Sequence, residues 1–287
     1  MTAGNTIPDP AREPATWDDV VALPAASVGQ RIAYGPVAKQ VGDLRVPSGP
    51  GPHPVAILLH GGCWQAEYDL GYFAHLGDAL ARAGIATWSL EYRGIGDAGG
   101  GWPGTFDDVA AGAAHLRTLA RSHPLDLDRV VLVGHSAGGQ LALFLAAGRH
   151  VAPAQAQGTH APLALRGVVA LAGIVDLRDY AAGTGSCNQS VVPLLGGAPD
   201  AVPARYAATS PSELLPIGVP VRLLIGARDA IVAPASNERF AAQARAQGDD
   251  VELDVLDGAG HFDVVMPAGP AAERVQRAIR MLLRPAS

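Results

Sequence analysis

Beyond residue 30 the chain alternates short, almost unbroken apolar runs with longer stretches whose apolar residues recur every three or four positions. The first pattern suits strands buried on both faces of a sheet, and the second suits helices covering those faces. RIAYG (31–35) and QVGDLRV (40–46) are joined by a short turn and are predicted to pair antiparallel. PVAILLH (54–60), IATWSLEY (85–92), RVVLVG (129–134), LRGVVALAGIV (165–175), VPVRLLIGA (219–227) and DVELDVL (250–256) supply six further strands. Helices are predicted at about 71–83 with Gly84 as C-cap, onward from Thr105 as N-cap, directly after Gly134, at about 234–247 and at about 270–284. The alternation predicts the α/β class: a mostly parallel eight-stranded sheet flanked by helices.

Two stretches depart from the rhythm. Residues 1–30 are rich in Pro, Asp and Ala and read as an arm crossing the domain surface, with a short helix near Thr16–Leu23. Residues 176–218, after the sixth long run, hold Gly, Pro, Ser and short helical pieces, and read as an insertion. With no internal repeat, the organisation expected is an arm followed by one domain over 31–287.

Composition narrows the partners. A formal charge of -6 gives no broad basic footprint for nucleic acid or an anionic membrane. No apolar stretch reaches the length of a membrane span, and the N-terminus lacks the basic-then-apolar order of a secretory signal. Two cysteines, Cys63 and Cys187, are too few for a disulfide framework. Two buried free thiols are expected; both could approach the site mouth if the insertion folds over it, but spacing alone does not give the geometry a bridge needs. The expectation is a soluble, cytoplasmic protein. The cysteines lack C-x-x-C spacing and the histidines show no H-E-x-x-H, so no metal is expected. No Walker or dinucleotide fingerprint appears either, and no cofactor is expected.

The chemistry concentrates where strands end. VVLVGHSAGG (130–139) sets G-H-S-A-G at a strand-to-helix junction, the context of a nucleophile elbow with Ser136 at its tip. Glycines at 134 and 138 relieve crowding around so sharp a turn. Upstream, VAILLHGGCW (55–64) ends a strand in backbone that glycine leaves unshielded. Gly61 and Gly62, with Cys63 as a third candidate, could present amides to an oxyanion together with Ala137, and His60 would hold the loop's shape. Serine is a weak nucleophile at neutral pH and needs an imidazole to take its proton. An acid must in turn hold that imidazole's tautomer. In the order serine, acid, histidine, Asp229 follows the strand RLLIGA and His261 lies in the Gly-flanked loop LDGAGHF. Asp176 is the alternative acid, otherwise a helix cap. Asp254, Asp257 and Asp263 are poorer rivals by position. His135 should point away from the serine, His75 and His115 belong to helices, and His53, His123, His150 and His160 should face solvent.

Taken together, HGG-x-W at 60–64, EYRG at 91–94, GHSAGG at 134–139, Asp229 and GHF at 260–262 resemble bacterial α/β-hydrolases of the esterase/lipase superfamily. The aromatic two places after HGG is similar to kynurenine formamidase (arylformamidase) and related carboxylesterases. Where hormone-sensitive-lipase-like members have a third glycine, this chain has Cys63. The resemblance implies an α/β-hydrolase fold with a lid in 176–218. It also implies Ser136, Asp229 and His261 as a triad, and Gly61, Gly62 and Ala137 as oxyanion donors. Trp64, Tyr68 and Trp102 would be pocket walls. The activity it implies is carboxylesterase-type cleavage of a small ester through an acyl-enzyme. The alternatives are an amide such as N-formyl-kynurenine, a prolyl-oligopeptidase-like peptidase, or a non-catalytic binding module.

Overall fold

The computed structural model describes residues 13–148 and 163–284. His150 and His160 lie outside the described residues. The chain opens with α1 (Trp17–Val21), whose N-cap Thr16 exchanges hydrogen bonds with Asp19 in a capping box. Next come β1 (Gln30–Ala33), β2 (Val41–Arg45) and β3 (His53–Leu59), then a 3-10 turn at Leu70–Phe73 leading into α2 (Ala74–Arg82). The chain continues through β4 (Ala86–Leu90), α3 (Gly104–Leu119), β5 (Leu125–His135), α4 (Ala137–Ala147) and β6 (Leu165–Leu171). Four short helices follow: α5 (Leu177–Ala181), α6 (Ser186–Gln189), α7 (Val191–Leu195) and α8 (Pro203–Thr209). The domain closes with β7 (Val221–Gly226), α9 (Pro234–Ala246), β8 (Val251–Leu256) and α10 (Pro270–Leu282).

The eight strands form one sheet in the order β1-β2-β4-β3-β5-β6-β7-β8. β1 with β2 and β2 with β4 pair antiparallel, and every later pair is parallel. The central strands are apolar on both faces because helices cover both, and Val55 to Leu59 and Val130 to Val133 are essentially inaccessible. Parallel strands end on the same edge. The loops after β3, β5, β7 and β8 therefore meet there, and these are the loops that carry the candidate residues.

Several boundaries differ from the sequence reading. Thr105 lies inside α3, which starts at Gly104. Its hydroxyl bonds the Arg93 carbonyl and accepts from the Gly101 amide. His53 does not face solvent: it opens β3, pairs with Leu125 and is buried. The sixth run stops at Leu171 instead of 175, because Ala172 takes a left-handed φ of 46° and turns the chain toward Gly173, which abuts Gly139.

Candidate active site

Ser136 stands between the last residue of β5 and the first of α4 with φ 55° and ψ -119°, a region that non-glycine residues rarely occupy. Its amide donates to the Leu171 carbonyl, and its own carbonyl accepts from Gly139 and Gln140, which holds the turn from both sides. The flanking glycines are required by contact. A Cβ on Gly134 would collide with the Gly138 carbonyl, and one on Gly138 with the Leu59 and His60 carbonyls. The Ala137 amide begins α4, where the helix ladder offers an N–H no partner.

Asp229 and His261 come together as the sequence order suggested. His261 Nδ1 is 2.8 Å from Asp229 Oδ2, with both residues buried. The other carboxylate oxygen, Oδ1, accepts from the Ile231 and Val232 amides at 2.8 Å each. A carboxylate can only accept, so His261 donates from Nδ1, and in the neutral ring the lone pair lies on Nε2. The loop holding His261 is anchored in turn: the Asp263 carboxylate accepts from Gly260 at 2.8 Å and from Ala15, in the arm, at 3.0 Å. The rival acids are engaged elsewhere. Asp176 caps α5 through the Arg178 and Asp179 amides, Asp254 pairs with Arg274 at 3.1 Å, and Asp257 is exposed.

The HGG loop is built around its peptide planes. His60 Nδ1 donates to the Gly61 carbonyl at 2.7 Å, and its ring stacks on Tyr92. Because the peptide is planar, fixing that carbonyl also fixes the Gly62 N–H pointing the opposite way. The Gly61 amide, expected to serve an oxyanion, instead donates to the Tyr72 hydroxyl at 2.5 Å. With that amide committed, Gly62, Cys63 and Ala137 are the candidate donors whose amides are not seen bonded to Tyr72. Gly62 has φ 104°, and any Cβ there would strike Tyr68, so only glycine fits. Tyr92 of EYRG braces the same loop, and its neighbours tie down adjacent segments. Glu91 accepts from the Leu70 amide, Tyr92 donates to the His60 carbonyl at 2.7 Å, and Arg93 makes a two-pronged pair with buried Asp108.

The expected pocket walls divide. Trp64 is 1% exposed and its indole N–H donates to Gln140, so it packs behind the elbow and is not a wall. Trp102 rests on Phe106, with its amide on the Leu194 carbonyl. Tyr68 is half-buried above Gly62 and meets Trp17 of α1 edge-on at 5.5 Å. The same Trp17 also touches Tyr72 and Phe262, so an element read from sequence as a surface arm contributes to the site.

The insertion reaches two of the loops. Cys63 and Cys187 form a disulfide between the HGG loop and α6, in place of the expected free thiols. Gln65 donates to Ser190, and the Tyr180 hydroxyl to the Ile231 carbonyl beside Asp229. This bridge removes one premise of the cytoplasmic expectation, since disulfides persist mainly in oxidising compartments. Among the described residues no helix is long and apolar enough to cross a membrane, and no group of three or more His, Cys, Asp or Glu could hold a metal.

Residues 43–243, more than two thirds of the chain, match the BD-FAE family. The chain belongs to the BD-FAE family. This is an α/β-hydrolase esterase family. A probable isoprenylcysteine alpha-carbonyl methylesterase of Oryza sativa subsp. japonica is 32% identical over 124 residues, which cover 41% of this chain and 27% of that protein. Among solved structures, a bifunctional GH43-CE from Bacteroides eggerthii superposes with a TM-score of 0.71 at 22% identity, covering 88% of this chain and 37% of that one. Esterase B from Lactobacillus rhamnosis superposes with a TM-score of 0.76 at 20% identity, covering 90% and 87%. The chain thus spans about a quarter to two fifths of the first two proteins, and likeness at these structural identities speaks for the α/β-hydrolase fold alone.

Proposed function

We propose that this BD-FAE member cleaves a small carboxylic ester through an acyl-enzyme on Ser136. The observation that carries the reading is the buried Asp229–His261 hydrogen bond beside a strained serine at a strand-to-helix turn. Asp229 holds His261 with its proton on Nδ1, so Nε2 takes the Ser136 proton as the hydroxyl attacks the ester carbonyl. The amides of Gly62 or Cys63 and of Ala137 receive the negative charge that develops on the carbonyl oxygen. His261 then returns the proton to the leaving alkoxide. Water, activated by the same histidine, releases the acid and restores the serine.

Steady-state rates on p-nitrophenyl acetate, p-nitrophenyl butyrate and N-formyl-kynurenine, combined with fluorophosphonate labelling, test this reading. Ester turnover should exceed formamide turnover, and one label should map to Ser136. Ser136→Ala should abolish labelling and lower kcat by roughly 10⁴–10⁶-fold, on the scale of measured triad knockouts. Preferred turnover of the formamide would assign amide cleavage to the same residues, and an unlabelled folded protein would remove the enzyme reading.

A further inference from the structure

His135 and Tyr72 belong to none of the roles above, yet both lie against them. The Gly61 amide is 2.5 Å from the Tyr72 hydroxyl, which is 2.9 Å from His135 Nδ1, and His135 Nε2 is 3.1 Å from the His261 carbonyl oxygen. The hydroxyl lies close to Ser136. A Cβ placed on Gly61 would lie 2.8 Å from the Tyr72 oxygen and 3.0 Å from Ser136 Cβ. We propose that Tyr72 and His135 form a positioning relay that couples the HGG loop to the loop carrying His261, with His135 neutral and protonated on Nε2. The inference rests on the reading of Ser136 and His261 given above.

Donor and acceptor counting fixes the direction of the chain. A carbonyl oxygen only accepts, so the proton on His135 must sit on Nε2. A neutral imidazole then presents a lone pair at Nδ1, which only the Tyr72 hydroxyl can meet with a proton. That donation leaves the phenol oxygen's lone pairs to accept from the Gly61 amide. Every group is used once and in one sense, from Gly61 N–H through Tyr72 and His135 to the His261 carbonyl. Swapping the tautomer would set a bare Nε2 against a carbonyl oxygen, which is repulsive.

The surroundings support the neutral form. His135 is 1% exposed, and the rings of Tyr72, Phe73, His261 and Phe262 pack around it. Burial first, and the nearby His261 second, push its imidazole well below the ordinary histidine range, against a smaller opposing effect of its bond to the His261 carbonyl. Desolvation likewise holds the Tyr72 phenol above its ordinary value, so it keeps the proton it donates. Of the two adjacent imidazoles, only His261 therefore cycles its charge, while His135 keeps the backbone of His261 in place. The relay runs through the residue preceding the nucleophile, so one chain of hydrogen bonds sets the oxyanion donors, Ser136 and the base in mutual register.

The test combines a double-mutant cycle with a spectroscopic signature. Tyr72→Phe and His135→Gln, each checked for a cooperative melt, should lower kcat on p-nitrophenyl butyrate by roughly 10–30-fold with KM changed less than about threefold. The double variant should be no slower than the slower single variant, because both break one chain. A Tyr72→Phe rate within about twofold of wild type, or losses that multiply, would overturn the relay. If the variants fail to fold, ¹⁵N-histidine spectra of the wild-type protein decide. His135 should carry one proton, on Nε2, throughout pH 5–8, and titration in that range or a proton on Nδ1 overturns the proposal. Ser136→Ala separates the two readings: retained esterase activity there removes the underlying site, whereas its loss together with multiplying effects removes only the relay.

Discussion

Asp229 divides its oxygens between two tasks, and that division makes its substitution informative. Oδ1 closes its own turn through the Ile231 and Val232 amides, while Oδ2 holds His261. In Asp229→Asn the side chain can keep an oxygen on the turn but then presents an NH₂ group to the imidazole, which favours the wrong tautomer. We expect kcat to fall roughly 10³–10⁴-fold with the fold retained, measured by steady-state kinetics alongside circular dichroism. Asp176→Ala is the contrasting case. It removes an N-cap from α5 and should cost about 1 kcal/mol in urea unfolding while leaving kcat within a few-fold of wild type. A dead Asp176 variant with an active Asp229 variant would reassign the acid. At Gly138 even one methyl group is excluded, since its Cβ would lie 2.2 Å from the Leu59 carbonyl oxygen and 2.3 Å from that of His60. Neither backbone group can move without shifting β3. Gly138→Ala should therefore destabilise by about 3 kcal/mol or more in urea titration, the upper range for overpacking.

Elements that are far apart in sequence converge on the strand ends, and the disulfide is the clearest instance. It joins the HGG loop to α6 across 124 residues, so it fixes the insertion to the candidate oxyanion donors. Cys187→Ser should lower unfolding stability by roughly 2–4 kcal/mol, and thiol titration of unreduced, denatured wild-type protein should find no free thiol. Finding two thiols would remove the bridge. The contrast with what the sequence disclosed is physical. Strands β3 to β7 were legible because burial on both faces leaves nearly unbroken apolar runs. The elbow was legible because its glycines and serine are adjacent. Asp229 and His261 were found by chain order and by their place after strands. Tyr72 and His135 act through partners 11 to 126 residues away, and Asp263 holds Ala15 from 248 residues off; no spacing announces such pairs. Tyr72 was further hidden because residues 71–83 read as one helix. In fact Leu70–Phe73 winds as a 3-10 turn, and that turn delivers the hydroxyl to Gly61. Trp64 misled for a related reason: an aromatic beside HGG looks like a wall until its indole N–H is seen bound to Gln140.

At the scale of the whole molecule, Glu91 joins the antiparallel edge of the sheet to the parallel centre. Its carboxylate gathers Lys39 Nζ at 3.3 Å, His60 Nε2 at 3.3 Å and the Leu70 amide at 3.1 Å, from three separate stretches of chain. Desolvation pushes its pKa up, but the contacts with His60, Lys39 and the Leu70 amide together outweigh that push and hold it below the ordinary value. A carboxyl whose folded pKa lies below its unfolded one, about 4.3 for Glu, binds protons more readily in the unfolded chain. Its contribution to stability is therefore fully present above that unfolded value and is lost as pH falls through the lower folded one. Glu91→Gln should unfold more easily than wild type at pH 7, by roughly 1–3 kcal/mol for hydrogen bonds to a buried charge. The gap should narrow as the pH is lowered from 5 to 3, because protonation then takes from the wild-type protein what the substitution has already removed. Urea titrations of both proteins at pH 7, 5 and 3.5 measure it. A gap independent of pH would show that the carboxylate's charge is not what ties these three stretches together.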